Sequence, residues 1–293
     1  MNPYFFIFGF GYTAKALAPK LFAQDFNLIG TSRTPDEHPK NNLGIKLINF
    51  DSPSLKNYLS LATHLLICIP PTATLSDIVL IKYGDLIKKQ APYLKWLGYL
   101  SSTGVYGDHQ GNWVSEESEC IPHTPTGIAR LKAEQDWFLF AKEHQVPLHV
   151  FRLSGIYGPG RNALERLLQG KNHSVFKEKQ VFCRIHVEDI ISTLLASIQA
   201  PNPLSIYNVS DDEPAPAHLV DQYAANLLHR EPLPLIPFSE AHLSAMEQEF
   251  YANNRRVSNL KIKEELHVDL QYPTYKEGLT QIWRNDFAPE QAN

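Results

Sequence analysis

The chain has 293 residues, 43% hydrophobic and 20% charged, with a formal net charge of -4 at pH 7. That length suits one large α/β domain or a domain with a smaller lobe. The slight acidity argues against an electrostatic nucleic-acid binder, and no apolar run approaches the roughly 20 residues that span a bilayer.

The first informative stretch is Tyr4 to Arg33. An apolar run, Tyr4-Phe5-Phe6-Ile7-Phe8, ends in Gly9-Phe10-Gly11-Tyr12-Thr13-Ala14. A helical stretch follows through Phe22, and a second apolar run, Phe26 to Gly30, ends in Thr31-Ser32-Arg33. Strand, glycine turn, helix and strand in this order form a phosphate-cradling unit. Gly9 supplies backbone angles that a side chain forbids. Gly11 leaves room for a pyrophosphate, and Ala14 allows close helix–strand packing. The start of the helix favours negative charge. Gly9, Gly11, Tyr12, Thr13 and Ala14 are therefore expected to line a dinucleotide. The alternative is a glycine turn without a ligand. The run has no basic segment before it and ends in glycines, so it reads as a strand rather than a signal peptide.

The second strand ends without the acidic residue that would bind an NAD ribose. Ser32 and Arg33 stand there, and the planar arginine fork suits a phosphate. NADP is expected over NAD, with a solvated loop residue as the other reading of Arg33. Further apolar runs at 45–50, 64–69, 96–101 and 147–153 alternate with helical stretches, which predicts a parallel sheet with helices on both faces. Asp51 closes the third run. It either accepts from an adenine amino group or starts a helix with Ser52 and Pro53. Ile69-Pro70-Pro71 stiffens a loop over the cofactor or simply ends its strand. A helix is predicted over 126–144.

After residue 155 the texture changes. Gly158-Pro159-Gly160 makes a loop, followed by a helical patch at Ala163 to Gln169 and a strand at Gln180 to Ile185. A helix near 187–199 and a strand near 205–209 come next. The later residues mix helix with proline-rich connections, and 289–293 reads as a loose tail. Cys68, Cys120 and Cys183 are far apart and form no CxxC pair, and the twelve histidines show no ligand spacing. A disulfide scaffold and a metal site are both disfavoured, and a cytoplasmic setting is expected.

Four segments carry a resemblance when taken in order: Leu100 to Asp108, Arg152 to Arg161, Arg184 to Ile190, and Tyr207 to Pro214. Over roughly residues 4 to 280 the chain resembles an extended short-chain dehydrogenase/reductase, the group that includes NAD-dependent epimerases and dehydratases of nucleotide sugars. The resemblance implies an α/β fold: a Rossmann-type doubly wound parallel sheet with a smaller C-terminal substrate lobe. The dinucleotide domain is expected over 1–155, also taking in about 184–210. The lobe is expected over 156–183 and 211–293. A small-molecule substrate of the nucleotide-sugar kind is implied, with a monomer or homodimer as the assembly.

In that family a hydroxyl at the Ser102 position hydrogen-bonds the reacting oxygen. A Tyr-x-x-x-Lys pair then supplies the proton donor or acceptor and the cation that lowers its pKa. Ser101 and Ile156 are implied to lie beside the cofactor. This chain departs from the pattern. It reads Pro125-Thr126-Gly127-Ile128-Ala129-Arg130-Leu131-Lys132-Ala133-Glu134, which puts Thr126 at the tyrosine and Arg130 at the lysine. Thr126 does not ionise near neutral pH, whereas Arg130 stays charged and suits ribose hydroxyls. This is similar to the atypical branch of the family, as are Asn253 to Asn259 and Leu270 to Leu279. If chemistry survives, Tyr106, Tyr157 and His186 are the candidate acids. Each also reads as a packing or capping residue. Arg161 and Arg184 either grip a substrate anion or form surface ion pairs. Three functions stand: an NADP-dependent oxidoreductase or epimerase with altered acid–base groups, a catalytically silent NADP-binding sensor, and an interaction module without ligand.

Overall fold

Phe5, Phe6, Ile7 and Phe8 are all 0% exposed, so the first strand is covered on both faces, as its unbroken apolar run requires. The computed structural model describes residues 2–35, 44–72 and 77–288. The tail expected at 289–293 lies outside the described residues.

The central sheet has seven strands: β1 (Tyr4–Phe8), β2 (Asn27–Ser32), β3 (Lys46–Asn49), β4 (Ala62–Ile67), β5 (Trp96–Ser102), β6 (Leu148–Leu153) and β7 (Ser205–Val209). Their order is β7-β6-β5-β4-β1-β2-β3. Phe6 of β1 is in parallel register with Ile29 on one side and Leu65 on the other. The order reverses between β1 and β4, the switch point where such sheets open a crevice at their carboxyl ends. The glycine turn leaves β1 there. The expected Rossmann-type α/β sheet is thus the observed one.

Helix α1 (Tyr12–Phe22) follows β1, and α2 (Ile78–Gln90) follows β4. Asp77 caps α2 by accepting from the backbone N–H groups of Val79 and Leu80. Helix α3 (Pro125–His144) starts at Thr124, whose Oγ1 accepts from Gly127 N, with Pro125 at the first position. It ends at Gln145, in the left-handed region at φ 56°. Alternate residues of the strands feed different faces. Phe6, Phe8, Leu65, Ile67 and Tyr99 share a core with Trp137 and Ala141 of α3. Trp96 instead contacts Phe5 at 5.8 Å between centroids and donates from Nε1 to Ser197 Oγ at 2.9 Å.

Two boundaries moved for local reasons. β4 starts at Ala62 and stops at Ile67, short of the prolines at 70 and 71, which lack the N–H a ladder needs. The strand expected over 180–185 is reduced to Arg184–His186, paired with Gly155–Tyr157. Lys179 takes φ 59°, and the Gln180 side chain is bonded to Asn253 O at 2.7 Å, so the chain bends before it can pair.

The contacts divide the chain into two units. The first comprises residues 1–105, 122–152 and 191–207; the second comprises 106–121, 153–190 and 208–293. Residues 106–121 join the second unit because Trp113 and Val114 pair in parallel with Arg256 and Val257. Within that unit α4 (Ala163–Leu168), α6 (Ala217–Leu227) and α7 (Tyr275–Asp286) share a core of Leu164, Leu167, Ala224, Leu279 and Ile282. Helix α5 (Val187–Gln199) precedes β7.

Candidate functional site

The glycine turn is built by two different demands. Gly9 has φ 92°, and a Cβ on it would lie 2.8 Å from Ile69 Cγ1. Its N–H donates to Thr31 Oγ1 at 2.9 Å, and Phe10 N donates to Thr31 O at 2.7 Å. Gly9 is therefore required by the fold. Gly11 is extended, at φ -95° and ψ -157°, and nothing lies within 4 Å of where its Cβ would be. It starts α1 with no side-chain cap and no acidic residue in the first turn. An uncapped helix start facing open space offers its orphan N–H groups to an anion. Thr13 and Ala14 are buried and pack the helix down, leaving half-buried Tyr12 at the turn. These residues fit a dinucleotide pyrophosphate.

The surrounding loops are less uniform. Ser32 is half-buried and its Oγ accepts from Thr34 N at 3.2 Å, while Arg33 is exposed. Ile69 and Pro71 are half-buried and Pro70 is exposed. Asp51 is ion-paired with Lys82 of α2, and it does not cap the short helix at Leu55–Leu59, whose first position is preceded by Ser54.

At the end of β5, Ser102 is half-buried and its Oγ accepts from Gly104 N at 3.1 Å. Ser101 is buried and donates to Glu134 Oε1. On α3 the spacing of four places Thr126, Arg130 and Glu134 on one face. Thr126 is exposed. Arg130 donates from Nη1 to Leu100 O at 2.9 Å, which ties it to the same strand end as Ser102. Burial pushes the Tyr99 phenol up, and the Arg130 guanidinium beside it pulls the other way. Glu134 in turn holds Arg152 at 2.8 Å. Residue type alone does not single out Glu134 or Arg152, although Arg152 opens one of the segments that carry the resemblance and Glu134 closes the segment Pro125 to Glu134.

The second unit holds the three candidate acids Tyr106, His186 and Tyr157. Tyr106 is 0% exposed and its hydroxyl donates to Asn208 Oδ1 at 2.7 Å. It is a core residue with its proton committed. His186 caps α5, its Nδ1 accepting from Glu188 N at 3.2 Å. The ring lies 5.1 Å from that of Tyr157 and 4.0 Å from that of Tyr272. Burial lowers its pKa to about 4, so it does not titrate near neutrality. Tyr157 is likewise pushed up by burial and donates to Thr274 O at 3.3 Å. Ile156 is half-buried on the strand Gly155–Tyr157. Arg161 is exposed. Arg184 spends Nη1 on two carbonyls, Phe182 O at 2.8 Å and Ala215 O at 2.9 Å. Asp189 accepts from Gln271 N and Tyr272 N, with its pKa raised to about 6 by burial. Among the described residues no group of three or more His, Cys, Asp or Glu side chains gathers for a metal. No described helix is long and apolar enough to cross a membrane.

Comparison with known proteins agrees with this geometry. Residues 86–210 match the NAD dependent epimerase/dehydratase family. A functionally unknown conserved protein from Silicibacter pomeroyi DSS has a solved structure that aligns with 98% of this chain and 100% of its own. The TM-score is 0.90 and the identity 42%. The dTDP-glucose 4,6-dehydratase (rfbB) of Bacillus anthracis str. Ames, solved in complex with NAD, aligns over 97% of each chain with a TM-score of 0.80. At 17% identity that likeness is one of fold. Protein YeeZ of Escherichia coli (strain K12) is 35% identical over 128 residues, covering 41% of this chain and 40% of that protein. The match thus spans less than half the length of this curated relative. The sheet order, the glycine turn at its switch point and the matched segment agree: over residues 86–210 the chain carries a segment of the NAD dependent epimerase/dehydratase family.

Proposed function

We propose that this protein binds a nicotinamide dinucleotide, NADP in preference to NAD, and acts as an oxidoreductase or epimerase on a nucleotide sugar. The observation that carries the reading is the open, uncapped start of α1 at Gly11. The N–H groups there hold the pyrophosphate, and Ser32 and Arg33 take the 2′-phosphate. Asp51, Ile69, Pro70, Pro71 and Ser101 complete the cofactor's surroundings in this assignment. When bound, the nicotinamide supplies hydride transfer. Ser102 hydrogen-bonds the reacting oxygen, and Arg130 holds ribose hydroxyls from its anchor on Leu100 O. Thr126 orients without ionising, so the acid–base groups differ from a Tyr-x-x-x-Lys pair. The first unit is assigned to the dinucleotide and the second to substrate selection. The fold shared with a dehydratase solved with NAD supports the cofactor class.

One observation favours a second reading, a cofactor sensor without turnover. Tyr106 and His186, the acids nearest in type to the missing pair, are buried and committed to other partners. Titrating NADPH and NADH against the protein by fluorescence, then assaying UDP-glucose and dTDP-glucose for epimerisation or NADPH oxidation, separates the cases. Absence of binding at millimolar cofactor overturns both readings. Binding without turnover on any nucleotide sugar leaves the sensor.

A further inference from the structure

The segment Asn253-Asn254-Arg255-Arg256 takes no part in the proposed dinucleotide site, yet it organises a second region. Asn254 is a hub. Its carbonyl accepts from His109 N at 3.0 Å and Gly111 N at 2.9 Å, and its N–H donates to Asp108 Oδ1 at 2.8 Å. Its side chain accepts from Val181 N at 3.2 Å and donates to Lys179 O at 3.0 Å. One asparagine thereby ties the loop 108–112 to the segment 179–181. Arg255 adds a bond from Nη1 to Gly107 O at 2.8 Å, and Arg256 donates to Gly111 O.

Between these segments lies a cavity of about 350 Å³, lined by Gln110, Gly111, Asn112, Lys179, Gln180 and Arg256 among others. That volume is at the lower end of small-ligand sites, roughly 300–1,000 Å³, and the wall is polar and apolar in equal measure, with Val181 and Pro216 beside the polar side chains. Gln110, Gly111 and Lys179 all have left-handed backbones, at φ 54°, 80° and 59°, held in place by the Asn254 bonds. Two cations and three side-chain amides line the space, and no carboxylate does. The nearby acids do not cancel this. Asp108 is bonded to the N–H groups of Gln110 and Asn254. Glu178 lies 3.8 Å from Lys179 Nζ, with both side chains more than three-quarters exposed, where such pairs are weak. Gln180 is 2% exposed, and its Oε1 has no hydrogen-bond partner among the described residues.

We infer that this cavity binds a small phosphate monoester carrying hydroxyl groups, a sugar phosphate. Two cations suit the phosphate dianion, and the amides suit hydroxyls, which both donate and accept. The assignment is independent of the dinucleotide reading, because it rests on a different set of residues.

Calorimetry on the full chain at low salt tests it, with glucose 1-phosphate, inorganic phosphate, glucose and UDP-glucose as probes. Glucose 1-phosphate should saturate, inorganic phosphate should bind more weakly, and glucose should not bind. Lys179→Gln and Arg256→Gln should each weaken glucose 1-phosphate about tenfold, the loss of one charge-assisted contact, with NADPH affinity unchanged. Lys179 is the safer variant, since its side chain is 86% exposed; melting curves check Arg256→Gln. Four results would overturn the proposal: no saturation by glucose 1-phosphate at millimolar concentration, unchanged binding in both variants, displacement by NADPH, or binding of UDP-glucose alone at these residues.

Discussion

Glu134 and Arg152 meet as a buried, two-pronged ion pair. Arg152 Nη2 lies 2.8 Å from Glu134 Oε2, and its Nε lies 3.2 Å from both carboxylate oxygens. The two side chains are 2% and 5% exposed. Ser101 donates to the same carboxylate. Glu134 is one turn beyond Arg130 on α3, Arg152 is on β6 and Ser101 is on β5. The trio therefore fixes the rotation of the helix that carries Thr126 and Arg130 against two strands of the sheet. Taking two charges out of water opposes this arrangement, so its main effect is to specify where the helix sits.

Removing one partner leaves the other charge buried alone. Glu134→Gln and Arg152→Met are each expected to destabilise the protein by about 3–5 kcal/mol. The double variant Glu134→Leu/Arg152→Met should recover much of that loss. Urea unfolding followed by tryptophan fluorescence measures all three. Single variants with wild-type midpoints would remove the pinning role.

The two glycines of the turn should separate cleanly. Gly9→Ala places a methyl 2.8 Å from Ile69 Cγ1 at φ 92°, and a loss of about 1–3 kcal/mol is expected from that strain. Gly11→Ala meets nothing within 4 Å, so stability should change by less than about 1 kcal/mol. Dinucleotide affinity should nonetheless fall at least tenfold, about 1.4 kcal/mol, because the methyl occupies the anion's approach. Thermal melts paired with NADPH titration test both. Equal behaviour of the two variants would contradict the assignment.

Much of this was legible because it is local. Phe5 to Phe8 announce a strand covered on both faces, and Gly9 to Ala14 announce a turn whose geometry depends on neighbours in sequence. The segment Pro125 to Glu134, anchored on Pro125, Gly127 and Ala133-Glu134, located Thr126 and Arg130 on a helix. Tertiary effects were not legible. Residue type gives histidine a useful pKa, but only the packing of Tyr157 and Tyr272 around His186 shows that burial removes it. Asp51 reads as an adenine partner or a helix start, and neither reading shows that Lys82, 31 residues away, stands beside it. The Glu134–Arg152 pair depends on which helix face meets which strand. Asn254 bonds segments that lie 75 and 146 residues before it, beyond the reach of any pattern of spacing.

Arg33 is exposed at the end of β2, so changing it should leave the fold intact. Arg33→Ala is expected to weaken NADPH about tenfold, the contribution of one charge-assisted contact, and to leave NADH nearly unchanged. Parallel fluorescence titrations with the two cofactors read the ratio. A variant that loses both cofactors equally, or neither, would show that Arg33 does not select the 2′-phosphate.

The last prediction concerns acid stability. His149 is 0% exposed, and its Nε2 accepts from Asn202 N at 3.0 Å. Its Nδ1 must then carry the proton, donating to Ser197 Oγ at 2.9 Å, where Trp96 Nε1 also donates. Burial lowers the His149 pKa from 6.5 to about 4. Above pH 6.5 the ring is neutral in folded and unfolded chains, and its contribution is fully present. As the pH falls from 6.5 toward 4, the unfolded chain takes up a proton that the folded one refuses, and stability is lost. The slope is about 1.4 kcal/mol per pH unit for one such site. His64 and His186 act in the same direction. Asp189 and Asp211, raised by burial, act in the opposite one: their contribution is present at low pH and lost as the pH rises through their folded pKa. The wild-type profile is consequently flattened, and the informative quantity is a difference. The stability advantage of the wild type over His149→Asn should shrink steadily between pH 6.5 and 4 in urea titrations. An advantage that stays constant over that range would mean that His149 is protonated inside the folded protein.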